Sequence, residues 1–217
     1  MADPWTRPKF DPEPGKTVLL VIDMQYDFVA SGAPYESSAA REMIEPLNGL
    51  IGLCREKSVP VIFTVHSHRA DGSDLGAVRY LHPLTAAGKA MREGTQGVEL
   101  FPAVDAREGD LYVAKRRFSA FFATELDVLL RNLHAEVLIV AGVATNVCCE
   151  STVRDAFFRD YKVIFLEDGN GTIPLADAGW GAYTPDEVQR FTLTAISTFF
   201  GEVAPIAEVE ARLRAHS

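Results

Sequence analysis

Five short apolar runs set the terms of this fold: TVLLVID (17–23), PVIFTVHSH (60–68), LYVAK (111–115), VLIVAGVAT (137–145) and KVIFLED (162–168). They are rich in Val, Ile and Leu and lack strict polar alternation, the pattern of strands covered on both faces. Between them the spacing changes to threes and fours. From Ala40 onward Met43, Ile44, Leu47, Leu50, Ile51 and Cys54 make one helix face, with Pro46 in its first turn or at a kink. Within 124–133, Leu126, Leu129, Leu130 and Leu133 form a stripe, opened by Glu125 and Asp127 and closed by Arg131 in the sense the helix dipole favours. Helices are also expected at 146–159 and near 186–200. Strands alternating with helices, joined by right-handed crossovers, predict an α/β fold with a parallel sheet covered on both faces.

At 217 residues, with hydrophobic residues at 47% and charged residues at 24%, the chain suits a single domain over 1–217, residues 1–16 being an N-terminal leader. A formal charge of −9 with no basic run argues against nucleic acid as a partner. No window reaches the length of a membrane span, and no apolar signal segment opens the chain, so a cytoplasmic protein without a membrane partner is expected. Three cysteines, Cys54, Cys148 and Cys149, two of them adjacent, make a poor disulfide framework and point to free thiols in a reducing compartment.

Ligands of such sheets bind beyond the carboxyl ends of the strands. Asp23, His66, Lys115 and the 142–148 segment all fall there. Cys148 follows a strand-to-helix turn, where the helix dipole and free N–H groups favour a thiolate nucleophile. Cys149 shares a helical stripe with Val153, Ala156 and Phe157, which assigns it to the core and turns Cys148 about 100° away. Asp23 reads either as a general base or as a turn-capping carboxylate paired structurally with Lys115. Lys115 beside it would hold the carboxylate ionised, and the amides of Ala144 and Cys148 are placed to form an oxyanion hole. Residues 67–110 show little periodicity beyond a short helix near 84–92 and read as a pocket wall.

LLVIDMQYDF, VAKRRFSAFFATELDVLLR and GVATNVCCESTVRDAFFRDYKVIFLED, in that order, resemble the isochorismatase-like cysteine hydrolases over most of residues 17–200. The resemblance implies a doubly wound three-layer sandwich around a six-stranded parallel sheet, assembled as a homodimer or homotetramer. It places the catalytic trio on Asp23, Lys115 and Cys148 and a non-proline cis peptide at Val143–Ala144. It also implies hydrolysis of a C–N bond in a small amide or ureido compound through a thioester, with ammonia or an amine leaving and no cofactor. The KRRFSAFFATELD block is most similar to the ureidoacrylate amidohydrolase branch. Expected substrate-contacting residues are Phe28, His66, His68, Phe118, Phe121 and Phe122. Where nicotinamidases carry an Asp-x-His metal motif, this chain has His66-Ser67-His68, so no metal is expected. Two readings stand beside the leading one: a metal-dependent nicotinamidase-type amidase, and a non-catalytic small-molecule-binding member of the family.

Overall fold

The computed structural model describes residues 7–216. Six strands form one all-parallel sheet: β1 (Thr17–Ile22), β2 (Val61–His66), β3 (Leu111–Lys115), β4 (Val137–Val143), β5 (Lys162–Gly171) and β6 (Glu202–Ala204), in the spatial order β3-β2-β1-β4-β5-β6. The nine helices of the described residues are α1 (Tyr26–Val29), α2 (Ser38–Glu42), α3 (Ile44–Glu56), α4 (Val78–Leu81), α5 (Pro83–Ala86), α6 (Leu126–Asn132), α7 (Glu150–Phe157), α8 (Pro185–Phe199) and α9 (Ile206–Ala215). None is long and apolar enough to cross a membrane.

The period-two geometry of a strand explains why its apolar runs are unbroken. On β1, Leu19 and Val21 face a cluster with Leu47, Leu50 and Ile51 of α3 and Val209 and Leu213 of α9. Val18, Leu20 and Ile22 face the opposite cluster, with Leu126 and Leu130 of α6, Val153 and Ala156 of α7 and Ile196 of α8. Each β1 residue therefore buries its side chain on one side of the sheet or the other, and the two helical layers give the expected three-layer α/β sandwich. Strand order reverses between β1 and β4, and the crevice at their carboxyl ends is where such a sheet admits a ligand.

Several boundaries differ from the sequence expectation. The periodic stretch from Ala40 is split at Met43, so that α3 starts at Ile44 with Pro46 in its first turn, where a missing N–H costs nothing. Residues 145–149 form a π-helical turn before α7 rather than the opening of one continuous helix. The short helix expected near 84–92 is confined to α5, preceded by α4. The leader is anchored over its described part: Phe10 donates its amide to Glu202 Oε2 at 2.6 Å and accepts from Arg212 at 2.8 Å. Residues 1–6 of that leader lie outside the described residues.

Candidate active site

Three strand ends and one helix start converge at the crevice. Asp23 is the first residue past β1, in the left-handed region at φ +51°, and its carboxylate is fully buried. β2 is the next strand, and Thr64 there donates its hydroxyl to Asp23 Oδ1 at 2.6 Å. Lys115 ends β3, two strands from β1. Strands lie about 4.8 Å apart, so only a long, flexible side chain can reach back across β2. Its Nζ lies 2.7 Å from Asp23 Oδ2, 3.3 Å from Cys148 Sγ and 3.1 Å from the Arg117 carbonyl oxygen. An ammonium has three protons, and these three acceptors use them all.

Cys148 arrives from the other side of the switch point. β4 runs beside β1 with Gly142 opposite Ile22, and a β-carbon at residue 142 would collide with the Ile22 carbonyl oxygen. Gly142 also has φ +125°, a conformation that side chains oppose, so glycine is required here on two counts. The register of β5 against β4 is irregular between Val140 and Gly142, and there the Asn170 side chain donates to the Val140 and Leu166 carbonyls at 2.9 and 2.7 Å. The Val143–Ala144 peptide is cis, and the π-turn Thr145–Cys149 follows it.

The electrostatics differ from the thiolate expected at a helix start. Burial pushes the Cys148 thiol up to about 12, with Asp23 adding to the rise and Lys115 only partly opposing it. Burial alone would pull the Lys115 ammonium down, but Asp23 and Cys148 together raise it. At rest the site therefore holds a neutral thiol and a cationic lysine. Sγ accepts from Lys115, and an Asp23 carboxylate oxygen lies within 4.8 Å of it, which makes Asp23 the base within reach of the thiol proton. Moving that proton to Asp23 exchanges an Asp–Lys ion pair for a thiolate–Lys pair. The buried site never holds an uncompensated charge.

Above Sγ lies a cavity of about 90 Å³, walled by Phe28, Tyr35, His66, His82, Met91, Phe118, Ala144, Val147 and Ile173. His66 is held from behind by Gln25, whose Oε1 accepts from the His66 amide at 2.8 Å and whose Nε2 donates to its carbonyl at 3.1 Å. Burial, then the Lys115 charge, keeps its imidazole well below the ordinary value of 6.5. Asp23, His66 and Cys148 are, among the described residues, the set whose ligand atoms would suit a metal, all within 4.8 Å of one another. A cation there would have to compete with the Lys115 ammonium, which already contacts two of the three.

A family model for the Isochorismatase domain matches residues 17–208. The chain belongs to the isochorismatase family. As a member it is a hydrolase. Its curated relatives include the ureidoacrylate amidohydrolase RutB of Pantoea ananatis, 30% identical over 89% of this chain and 80% of that protein. RutB of Caulobacter segnis is 31% identical over 90% and 85%. Among solved structures, a cysteine hydrolase from Pseudomonas syringae pv. phaseolicola superposes with TM-score 0.93 at 35% identity, covering 99% of both chains. An isochorismatase family protein from Desulfovibrio vulgaris superposes with TM-score 0.79 at 31% identity, over 92% and 98%.

Of the residues expected to contact substrate, Phe28, His66 and Phe118 line the cavity. Phe121 does not. Ala120 donates its amide to Thr152 Oγ1 at 3.0 Å and Ser119 bonds Asp155, pinning the turn onto α7 so that Phe121 packs in the core, stacked on Tyr161 at 5.9 Å. Phe122, next along the same turn, faces away and is 60% exposed. His68 sits behind His66, ring centroids 5.1 Å apart, with its Nδ1 3.4 Å from Asp74; it lines a neighbouring cleft instead. Cys149 is in the core with Val153 and Ala156, while Phe157, expected on that stripe, is 44% exposed. Tyr35, Met91, Val147 and Ile173 were not foreseen as walls. Tyr35, Met91 and Ile173 come from segments without periodicity, Val147 from the start of an expected helix, and only their placement in the fold reveals them.

Proposed function

We propose that this protein is a cysteine amidohydrolase that cleaves a C–N bond of a small amide or ureido compound, with Cys148 as nucleophile, Asp23 as general acid and base, and Lys115 as the fixed countercharge. The observation that carries the reading is the buried ammonium of Lys115 bridging Asp23 Oδ2 and Cys148 Sγ, the latter lining the pocket. Membership of a hydrolase family whose relatives are named as amidohydrolases supports it.

In the first half-reaction Asp23 takes the thiol proton as Sγ bonds to the carbonyl carbon. The tetrahedral oxyanion is held by the amides of Ala144 and Cys148, both at the pocket floor. The C–N bond breaks, its electron pair stays on nitrogen, and Asp23 gives the proton to that departing nitrogen, which leaves as ammonia or an amine. Water then attacks the thioester, giving its proton to Asp23; the C–S bond breaks and the thiol is restored. One negative charge is conserved throughout: it sits on Asp23 at rest and in the thioester, and passes through sulfur to the carbonyl oxyanion while Asp23 holds the proton. The free, buried thiols support action in a reducing cytoplasm.

Ammonia release measured across N-carbamoyl compounds, ureidoacrylate, biuret and primary carboxamides tests the reading. Cys148→Ala should abolish turnover on the best substrate, and wild-type rates in that variant would sink the mechanism.

A further inference from the structure

The cavity carries information about the substrate that the trio does not. Of the residues that wall it, none is Lys or Arg. The cation beneath it, Lys115, does not line the cavity and has all three protons committed, one of them in its ion pair with Asp23. The two arginines that follow Lys115 in the chain are engaged elsewhere. Arg116 holds Ser67, Glu93 and Asp74, and Arg117 donates to the carbonyls of Asp74 and Arg116. Among the described residues no cation is left to receive a carboxylate inside the pocket.

What the pocket offers instead is His66. It is fully buried, lines the cavity, and, a lesser contact with the Arg116 backbone aside, neither ring nitrogen has a partner of full hydrogen-bond geometry among the described residues. Buried polar atoms are seldom left orphaned, so a partner from the ligand is the natural complement. A neutral imidazole presents one donor and one acceptor. A carboxamide or ureido edge presents both in return, whereas a carboxylate offers acceptors only and would oppose the imidazole's lone pair. Burial holds both His66 and His82 below their ordinary value, which keeps the wall uncharged near neutral pH. The aromatic faces of Phe28, Tyr35 and Phe118 suit a flat, uncharged group, and about 90 Å³ is small beside the roughly 300–1,000 Å³ of pockets for drug-sized ligands.

We infer that the substrate is a compact, uncharged amide or ureide recognised by His66 against the Phe28, Tyr35 and Phe118 walls, and that carboxylate-bearing analogues such as ureidoacrylate are discriminated against. The inference rests on the amidohydrolase reading and specifies its substrate class.

Matched pairs differing only in carboxamide against carboxylate provide the test: malonamide and malonamate, fumaramide and fumaramate, ureidoacrylamide and ureidoacrylate. For the reacting pair, kcat/KM per amide should favour the neutral member by about 100-fold or more, since an unpaired carboxylate must lose its hydration to enter. A diamide should release one equivalent of ammonia and stall at the anionic product. Binding to the inactive Cys148→Ala variant, followed by thermal shift, separates recognition from chemistry and should show the same preference. A cation introduced by Phe118→Arg should narrow the preference at least tenfold. Equal or better turnover of the anionic member, or a preference that Phe118→Arg leaves untouched, overturns the inference while the amidohydrolase reading stands. Absence of ammonia from every pair and from a wide panel of neutral amides removes the amidohydrolase reading, and the inference with it.

Discussion

Asp23 and Lys115 are each fully buried, so their pairing is a structural commitment as well as a chemical one. Removing one partner strands the other charge, which costs roughly 3–5 kcal/mol. Lys115→Met should lower the urea-unfolding free energy by about that much, and Asp23→Asn combined with Lys115→Met should cost less than the two single changes together. Strict additivity in that cycle would argue against the ion pair. Asp23→Asn alone is expected to reduce kcat by about 10²–10⁴-fold, the range for loss of a general base. Because Asp23 adds to the rise of the Cys148 thiol and Lys115 opposes it, the same variant leaves the ammonium as the thiol's charged neighbour and should keep or increase the preference of iodoacetamide for Cys148 over Cys54, whose thiol burial raises to about 12. Loss of that preference would mean that Lys115 does not lower the thiol. These three positions were legible in the sequence because each sits where an apolar run stops or a helix begins. The roles of Phe121 and Phe122 were not. They lie on a turn without periodicity, and its tethers to Thr152 and Asp155 come from a helix some thirty residues further on.

The strands were readable for a physical reason: both faces of the sheet are covered, so the apolar runs are uninterrupted. β6 has three residues and leaves too short a pattern to see, and α9 follows directly on it. The 67–110 segment is held by contacts distant in sequence. Asp27 Oδ2 accepts from the Met91 amide at 2.5 Å, and Gln25 Nε2 donates to the Val98 carbonyl at 2.8 Å. Local propensity carries no trace of either. At this scale β4 makes the sharpest demand, because its close approach to β1 at Gly142 sets where Ala144 and Cys148 lie. Gly142→Ala should destabilise by about 1–3 kcal/mol or more, as an overpacked core site does. It should also lower kcat beyond what the remaining folded fraction explains. Full specific activity in a destabilised variant would show that the close approach serves stability only.

At the scale of the whole molecule, pH couples the pocket to stability. Burial is the first cause lowering the imidazoles of His66, His68 and His82 below 6.5, although Asp74 partly restores His68. Above that ordinary value neither the folded nor the unfolded chain is protonated at these sites, and their full contribution is present. As pH falls below 6.5 the unfolded chain takes up protons that the folded one refuses, so stability is lost as pH descends toward the folded values. Asp27 has the opposite sense. Burial raises its carboxyl above 3.8, so its contribution is full below that value and is lost as pH rises through the folded one, a window lying further into acid. The urea midpoint, followed from about pH 8 to about pH 5, should stay level at first and then fall once the histidines begin to titrate. His66→Asn removes the most strongly displaced of the three and should flatten that fall. A midpoint that does not move across the range would mean that the imidazoles reach solvent without unfolding, and with it would go the picture of an uncharged pocket over Cys148.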